Sequence, residues 1–287
     1  MKNLFNKSVM ILISCAMLLS CSSGKISLRD MGMKGVQMAY KPKAGSTFKY
    51  QVSSSSEAAM EVMGQDQGGT STSEALMKFR VTNIEDNAVN YNLSYESVNI
   101  QTTIPGSPDP NPYEDKLLQS NIGIETDQYG NVTNLSGVDE LKKMTFGQNI
   151  ESELRGLFVV FSPKTIKIGD SWLRDDTETI IGGPLKIEVK SNSTYTFAGV
   201  ETHKERECYK FNSETKSVLT GAGEQGGMDL EYEGNGSSSG EIYFDYLRGM
   251  VVAGTSSMTI ESVISVPSQG MDIPRTDIQT TKIELVE

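Results

Sequence analysis

Few side chains in this chain could carry covalent or acid–base chemistry. His203 is the single histidine of the 287 residues, and Cys15, Cys21 and Cys208 are the three cysteines. A Ser–His hydrolase would therefore have one possible base. His203 sits in Thr202-His203-Lys204-Glu205-Arg206, which reads as a solvated hairpin turn, whereas a working base is held by packing and by a partner on its second nitrogen. A thiol dyad with Cys208 meets the same difficulty, because a turn tip and its flanking strand point the two groups apart. Cys208 reads instead as a small buried hydrophobe beside Tyr209 and Phe211.

Carboxylates cluster twice. Asp170, Asp175, Asp176 and Glu178 lie near one turn, and Asp229, Glu231 and Glu233 alternate along a strand, so that all three share a face. Neither cluster has the spacing or the loop glycine of an EF-hand, and three carboxylates on one strand face read as a solvated face. Glycosidase chemistry needs two carboxylates across a cleft, with aromatic rings to stack sugars. Trp172 is the only tryptophan, and its place after Gly169-Asp170-Ser171 reads as a core anchor where a strand begins. Three cysteines are too few for a Cys-rich zinc or iron–sulfur site. The expectation is no enzyme, no metal and no cofactor.

Cys21 stands in different surroundings. Lys2 and Lys7 precede an apolar run from Val9 to Leu19, and small residues then lead to Cys21. That is the layout of a secretory signal, and the apolar run is too short to span a bilayer as a helix. Leu18-Leu19-Ser20-Cys21 resembles a bacterial lipobox. The resemblance implies cleavage before Cys21, a thioether-linked diacylglycerol on its sulfur and an acylated amine, which makes Cys21 the expected lipidation site. Two or three acyl chains hold a protein stably to a membrane where one does not. Cys15 would leave with residues 1–20, so Cys208 is left without an intrachain partner.

Removing residues 1–20 also takes Lys2 and Lys7, leaving 24 basic against 37 acidic residues, a balance near −13. A field of that sign repels nucleic acid and anionic head groups, so nucleic-acid binding is excluded and the membrane is expected as a partner through the lipid on Cys21. The expected location is the cell envelope, at the outer membrane. Ser22, Ser23 and Gly24 lack the Asp that retains lipoproteins in some inner membranes.

The elements behind these residues are strands. After a tether over 21–40, period-two alternation runs through Phe48–Val52, Met77–Val81 and Ala88–Val98, separated by Gly, Asn, Asp and Ser clusters. The second half repeats the grammar. Gly45-Ser46-Thr47-Phe48 matches Gly169-Asp170-Ser171-Trp172, the Met77–Val98 hairpin matches Glu188–Phe211, and Ile124–Val132 matches Tyr243–Val251. These echoes predict a duplicated β unit, with a first copy over about 41–136 and a second over about 162–287. Between them a helical insert is expected over about 137–161, where Ile150, Leu154, Leu157, Phe158 and Phe161 form one apolar stripe that Pro163 ends. The stripe is a packing face over an open side of the sheet, or a lid on a ligand cavity. Gly64–Ser73, Gly221–Gly227, Gly234–Gly240 and Ser107–Pro112 read as turns. The predicted fold is all-β and mainly antiparallel, with long strands in two related sheets or an open curved barrel.

The lipobox, the opening strand Gly45-Ser46-Thr47-Phe48-Lys49-Tyr50, the turn from Asp127 through Gly130-Asn131-Val132, and the stretch from Pro163 to Trp172 together resemble a group of uncharacterised lipoproteins of Bacteroidota. What this implies is an envelope lipoprotein with a duplicated β body, of which Cys21 is the one functional residue carried over. A looser, fold-level analogy is the lipoprotein-carrier group, whose curved sheet encloses acyl chains under a helical lid. The leading expectation is a non-enzymatic, membrane-anchored lipoprotein that binds an envelope partner or serves structurally. The alternative is a carrier of a hydrophobic ligand such as an acyl chain.

Overall fold

The computed structural model describes residues 27–62, 64–103, 111–142 and 150–286. Cys21, the residues expected to form the export signal and most of the Ser107–Pro112 stretch lie outside them.

Alternation sets the architecture. Along Arg206–Gln225 nearly every second side chain is exposed and those between are half-buried or buried, the mark of a sheet with one covered face. Eleven strands form one antiparallel sheet. In chain order they are β1 (Thr47–Val62), β3 (Gly69–Glu85), β4 (Ala88–Thr102), β5 (Ile122–Asp127), β6 (Val132–Ser136), β7 (Ser171–Gly182), β8 (Leu185–His203), β9 (Arg206–Gln225), β10 (Met228–Asp245), β11 (Met250–Val266) and β12 (Met271–Leu285), while a two-residue β2 (Gln65–Asp66) pairs with β1. Their spatial order is β6-β5-β4-β3-β1-β12-β11-β10-β9-β8-β7. The expected pair of sheets is therefore a single sheet. The joint is β1 against β12, with Gln51 opposite Glu284, so the two halves of the chain continue one hydrogen-bonded ladder instead of packing face to face.

The hairpins close on tight turns. Asp86-Asn87 and Lys204-Glu205 both take positive φ at two consecutive residues, the two-residue turn whose twist matches that of the flanking strands. The Gly-rich runs meet the turn reading only in part: Gly64 and Gly226-Gly227 are turns at positive φ, and the rest of these runs is largely strand. Gly234 to Gly240 lies within β10, and Gly221 and Gly223 lie within β9. A Cβ at Gly234 would stand 2.8 Å from the Ser262 Cβ, and one at Gly240 would stand 2.5 Å from the Thr255 carbonyl oxygen. These glycines admit a close approach of neighbouring strands.

The covered face is layered along the strands. At one end lies the main core, where Phe79, Phe161, Phe197, Phe211 and Phe244 are fully buried. Each such ring contributes about 1.5–3 kcal/mol by leaving water. A belt of small polar residues follows. Ser54 opposes Ser73 and Thr281, and the Ser191–Ser217 and Ser193–Thr215 hydroxyl pairs each close at 2.8 Å. Beyond the belt, Leu185, Val189, Leu219, Leu230, Tyr232 and Val266 form a second apolar cluster.

Short helices gather around the main core. They are α1 (Leu28–Lys34), α2 (Pro112–Gln119), α3 (Asp139–Lys142) and α4 (Ile150–Gly156). The stretch expected to be tether is body from Leu28 onward: α1 packs on β8 and β9, and Met38 and Tyr40 are buried in the core. The expected insert over 137–161 is helical only in α3 and α4, and residues 143–149 lie outside the described set. Gly156 ends α4, and Phe158 and Phe161 sit on non-helical chain beyond it. The β-branched pair Val159-Val160 suits extended backbone, which frees these peptide groups for other partners.

Candidate functional site

The segment from α4 to Phe161 joins the two free edges of the sheet. Arg155 Nη1 donates to the Val132 carbonyl of edge strand β6 at 2.6 Å, and the Ser152 hydroxyl bonds the Glu178 carboxylate of edge strand β7. Further along, the Phe161 amide donates to the Tyr129 carbonyl at 2.9 Å, and Trp172 Nε1 donates to the Val160 carbonyl at 3.0 Å. Phe158 packs against Tyr91 and Phe79 at centroid distances of 5.4 and 6.3 Å. Phe161 packs against Phe244 and Phe211 at 4.7 and 5.5 Å. One short segment thus binds rings from both halves of the sheet, which curls around it. Of the expected stripe, Ile150, Leu154, Phe158 and Phe161 are buried and Leu157 is half-buried. Phe158 reaches the core from the bend that follows α4 and Phe161 from the irregular chain beyond it, which corrects the single helix expected there. Trp172 is half-buried, stacked on Tyr195 at 5.3 Å.

Glu153 on α4 is exposed at the surface, and the chain packed around its carboxyl raises it to about 7 by desolvation. Its charge adds to the burial that holds the Tyr95 and Tyr113 phenols protonated. The Tyr113 hydroxyl is buried and has no hydrogen-bond partner among the described residues.

His203 is better held than its turn suggests. Its ring stacks on Tyr243 at 5.0 Å, and Nε2 lies 2.9 Å from Glu284 Oε1. Lys204 Nζ reaches the same carboxylate at 2.6 Å and Lys282 Nζ at 3.4 Å. Burial alone would lift the Glu284 carboxyl, but hydrogen bonds from Lys204 and then His203 hold it down at about 2. Local sequence could not show this partner, 81 residues away. The network contains an imidazole, a carboxylate and cations, with no nucleophile among its described members. Cys208 is buried, its Sγ lies 3.6 Å from the Arg206 carbonyl oxygen, and burial followed by the Asp245 charge pushes the thiol up to about 11. A thiol so raised is protonated at neutral pH and unreactive.

The carboxylates do not converge. Asp170 accepts the Lys167 amide at 2.8 Å, Asp175 accepts Asn192 Nδ2 at 2.6 Å, and Asp176 pairs with Arg174 at 2.9 Å. Asp229, Glu231 and Glu233 are exposed on the uncovered face of β10. Among the described residues no three metal-ligating side chains group as a site. Two open hollows on the sheet have mixed polar and apolar linings. A groove of 890 Å³ crosses β1, β12, β11 and β10 past Glu61, Glu233, Glu261 and Arg275, and one of 390 Å³ is lined by Ser53, Ser55, Thr72, Asn99 and Lys282.

No family model matches the chain, and no curated protein matches it. Solved structures similar to it include a protein of Bacteroides fragilis described as exported with a YmcC-like fold (7% identity, 88% of this chain and 100% of that one, TM-score 0.26). Others are an outer-membrane channel of Pseudomonas putida (6% identity, 86% and 98%, TM-score 0.28) and OccK2 of Pseudomonas aeruginosa (6% identity, 86% and 100%, TM-score 0.26). The structural neighbours are thus exported or outer-membrane β proteins, only weakly similar to this chain. The class that the chain's own geometry defines is an open, curved, all-antiparallel β-sheet with a filled aromatic end and a polar middle.

Proposed function

We propose that this chain is a lipoprotein of the cell envelope, anchored at the outer membrane through Cys21, with a non-enzymatic role in binding a partner or supporting envelope structure. The observation that carries the non-catalytic, non-carrier part is the fate of the apolar stripe. Ile150, Leu154, Phe158 and Phe161 are spent on packing against the sheet, and none of them lines either hollow described above. A carrier of acyl chains would need that stripe to face a dry void.

The outward rows of the sheet support anchoring in place of spanning. Glu57, Lys190, Lys216 and Glu261 are exposed in mid-strand. On a lipid-facing strand a Lys at the bilayer midplane costs about 2–4 kcal/mol.

The β body is a duplicated unit in this reading, supported by two matched sets of hydrogen bonds. Gly45 N donates to Val81 O, Val81 N to Ser46 O and Ser46 N to Lys43 O, and in the second half Gly169 N donates to Phe197 O, Phe197 N to Asp170 O and Asp170 N to Lys167 O, all at 2.8–3.0 Å. Asp127 Oδ1 accepts the Tyr129 and Asn131 amides as Asp245 Oδ1 accepts those of Leu247 and Arg248.

Two measurements test the proposal. Cys21→Ala should abolish incorporation of labelled fatty acid, and unchanged labelling would overturn the anchor. Native mass spectrometry of the full protein purified from envelopes should show the polypeptide with the acyl groups of Cys21 and no further lipid; an additional stoichiometric lipid would instead establish the carrier.

A further inference from the structure

We propose that the end of the sheet bearing α1 and the β10–β11 turn rests on the phospholipid leaflet that holds the anchor, with Leu247 and Met33 in the boundary between head groups and acyl chains. The inference rests on acylation of Cys21. Leu28 follows Cys21 by seven residues, and seven residues reach at most about 25 Å when fully extended. The end of the body that carries α1 is therefore the end kept near the bilayer, whatever path the intervening chain takes.

That end presents what such a surface requires. Leu247 occupies the tip of a tight turn, where a polar residue is usual, and is 78% exposed; Met33 on the outward side of α1 is 59% exposed. Other exposed apolar side chains, such as Val218 and Ile278, stand along strands beside charged residues. The two elements are tied together. The Tyr209 hydroxyl donates to the Leu28 carbonyl at 3.0 Å, its ring lies 5.1 Å from that of Tyr246, and the Lys41 amide donates to the Gly249 carbonyl at 3.0 Å. A Cβ at Gly249 would stand 2.4 Å from the Lys41 nitrogen, so turn and N-terminal segment are locked in close contact.

Charge points the same way. In a chain whose mature balance is near −13, this corner gathers the exposed Arg29, Lys34, Lys41 and Arg248. The acids of α1 and of the β10–β11 turn are engaged locally: Asp30 accepts the Ser27 hydroxyl at 2.8 Å, and Asp245 holds the turn amides and Arg248, while the adjoining β8–β9 hairpin adds exposed Glu205 and Glu207 beside Lys204. The cations of α1, Lys41 and the β10–β11 turn draw these elements toward anionic head groups, and apolar side chains buried about 5–10 Å at the boundary add to the attraction.

The test uses the full acylated protein in vesicles of phosphatidylethanolamine and phosphatidylglycerol, with a solvatochromic label on Leu247→Cys or, as a control at the opposite end, Ser268→Cys. The buried Cys208 does not compete for the label. Emission from position 247 should shift to the blue and be quenched by spin-labelled lipid, while position 268 should behave as in water. If position 247 behaves as in water, or position 268 is quenched in its place, while the mass of the N-terminal peptide shows acylated Cys21, the orientation is wrong and the anchor stands. Absence of the acyl mass would remove the anchor and this proposal with it.

Discussion

The backbone amide of Val159 donates to the phenolic oxygen of Tyr40 at 2.9 Å, inside the aromatic core and across 119 residues of chain. The Tyr40 ring also packs edge-on against Phe158 and Phe244 at 5.9 and 5.7 Å. One side chain from the N-terminal segment thus fixes the chain that joins the two sheet edges and satisfies a peptide group there that has no ladder partner.

Tyr40→Phe should keep the ring packing and orphan the Val159 N–H. A buried donor left unsatisfied costs about 1–3 kcal/mol. A urea midpoint equal to that of wild type would mean that water reaches the amide, and the core at this point would have to be regarded as wet.

The strands were legible from residue alternation because one face of the sheet is covered and the other wet, and hairpins at Asn83–Asn87 and Thr202–Arg206 were legible from turn chemistry. The joining of β1 to β12 was not. That pairing spans most of the chain, and no local pattern distinguishes one eleven-stranded sheet from two smaller ones. The stripe at Ile150, Leu154, Leu157, Phe158 and Phe161 misled in its second half because the chain leaves the helix through a turn at Leu157 and Phe158 and still directs Phe158 and Phe161 into the core, so tertiary packing placed apolar side chains where a continued helix would also have placed them. The Gly-Ser runs misled for a related reason: close strand approach needs the same small residues as a turn does. His203 looked solvated because its partners Glu284 and Tyr243 come from distant strands.

Phe161→Ala removes a fully buried ring that touches Phe244, Phe211, Trp172 and Tyr40. Deletions of this kind cost about 3–5 kcal/mol. The denaturation midpoint should fall sharply, and near-ultraviolet circular dichroism should lose intensity. An unchanged midpoint accompanied by release of bound lipid would place Phe161 on a ligand cavity.

Glu284 ties stability to acid. Its carboxyl is held at about 2 in the folded protein, below its ordinary value, so the unfolded chain takes up the proton first as pH falls. The stabilisation is complete above the ordinary carboxylate range and is lost as pH drops from about 4.5 toward 2. Wild type should therefore exceed Glu284→Gln in stability at pH 7, and the difference should shrink through that window. A difference that stays constant between pH 6 and pH 3 would detach Glu284 from the effect.

Glu153 works in the opposite sense. Burial raises its carboxyl to about 7, so the folded protein binds that proton more tightly than the unfolded chain. Stability from this group is fully present below its ordinary pKa and declines as pH rises toward and through 7, an effect that solvent at the exposed side chain keeps small. Glu153→Gln keeps the shape and removes the charge. It should raise the thermal midpoint at pH 8 and leave it near wild type at pH 5. An equal effect at both pH values would show that the substitution acts through packing. A drop at pH 8 would show that the carboxylate is held as an anion by a partner, and the Ser152–Glu178 bond on the same helical turn would then have to be reassessed as part of one charged seam.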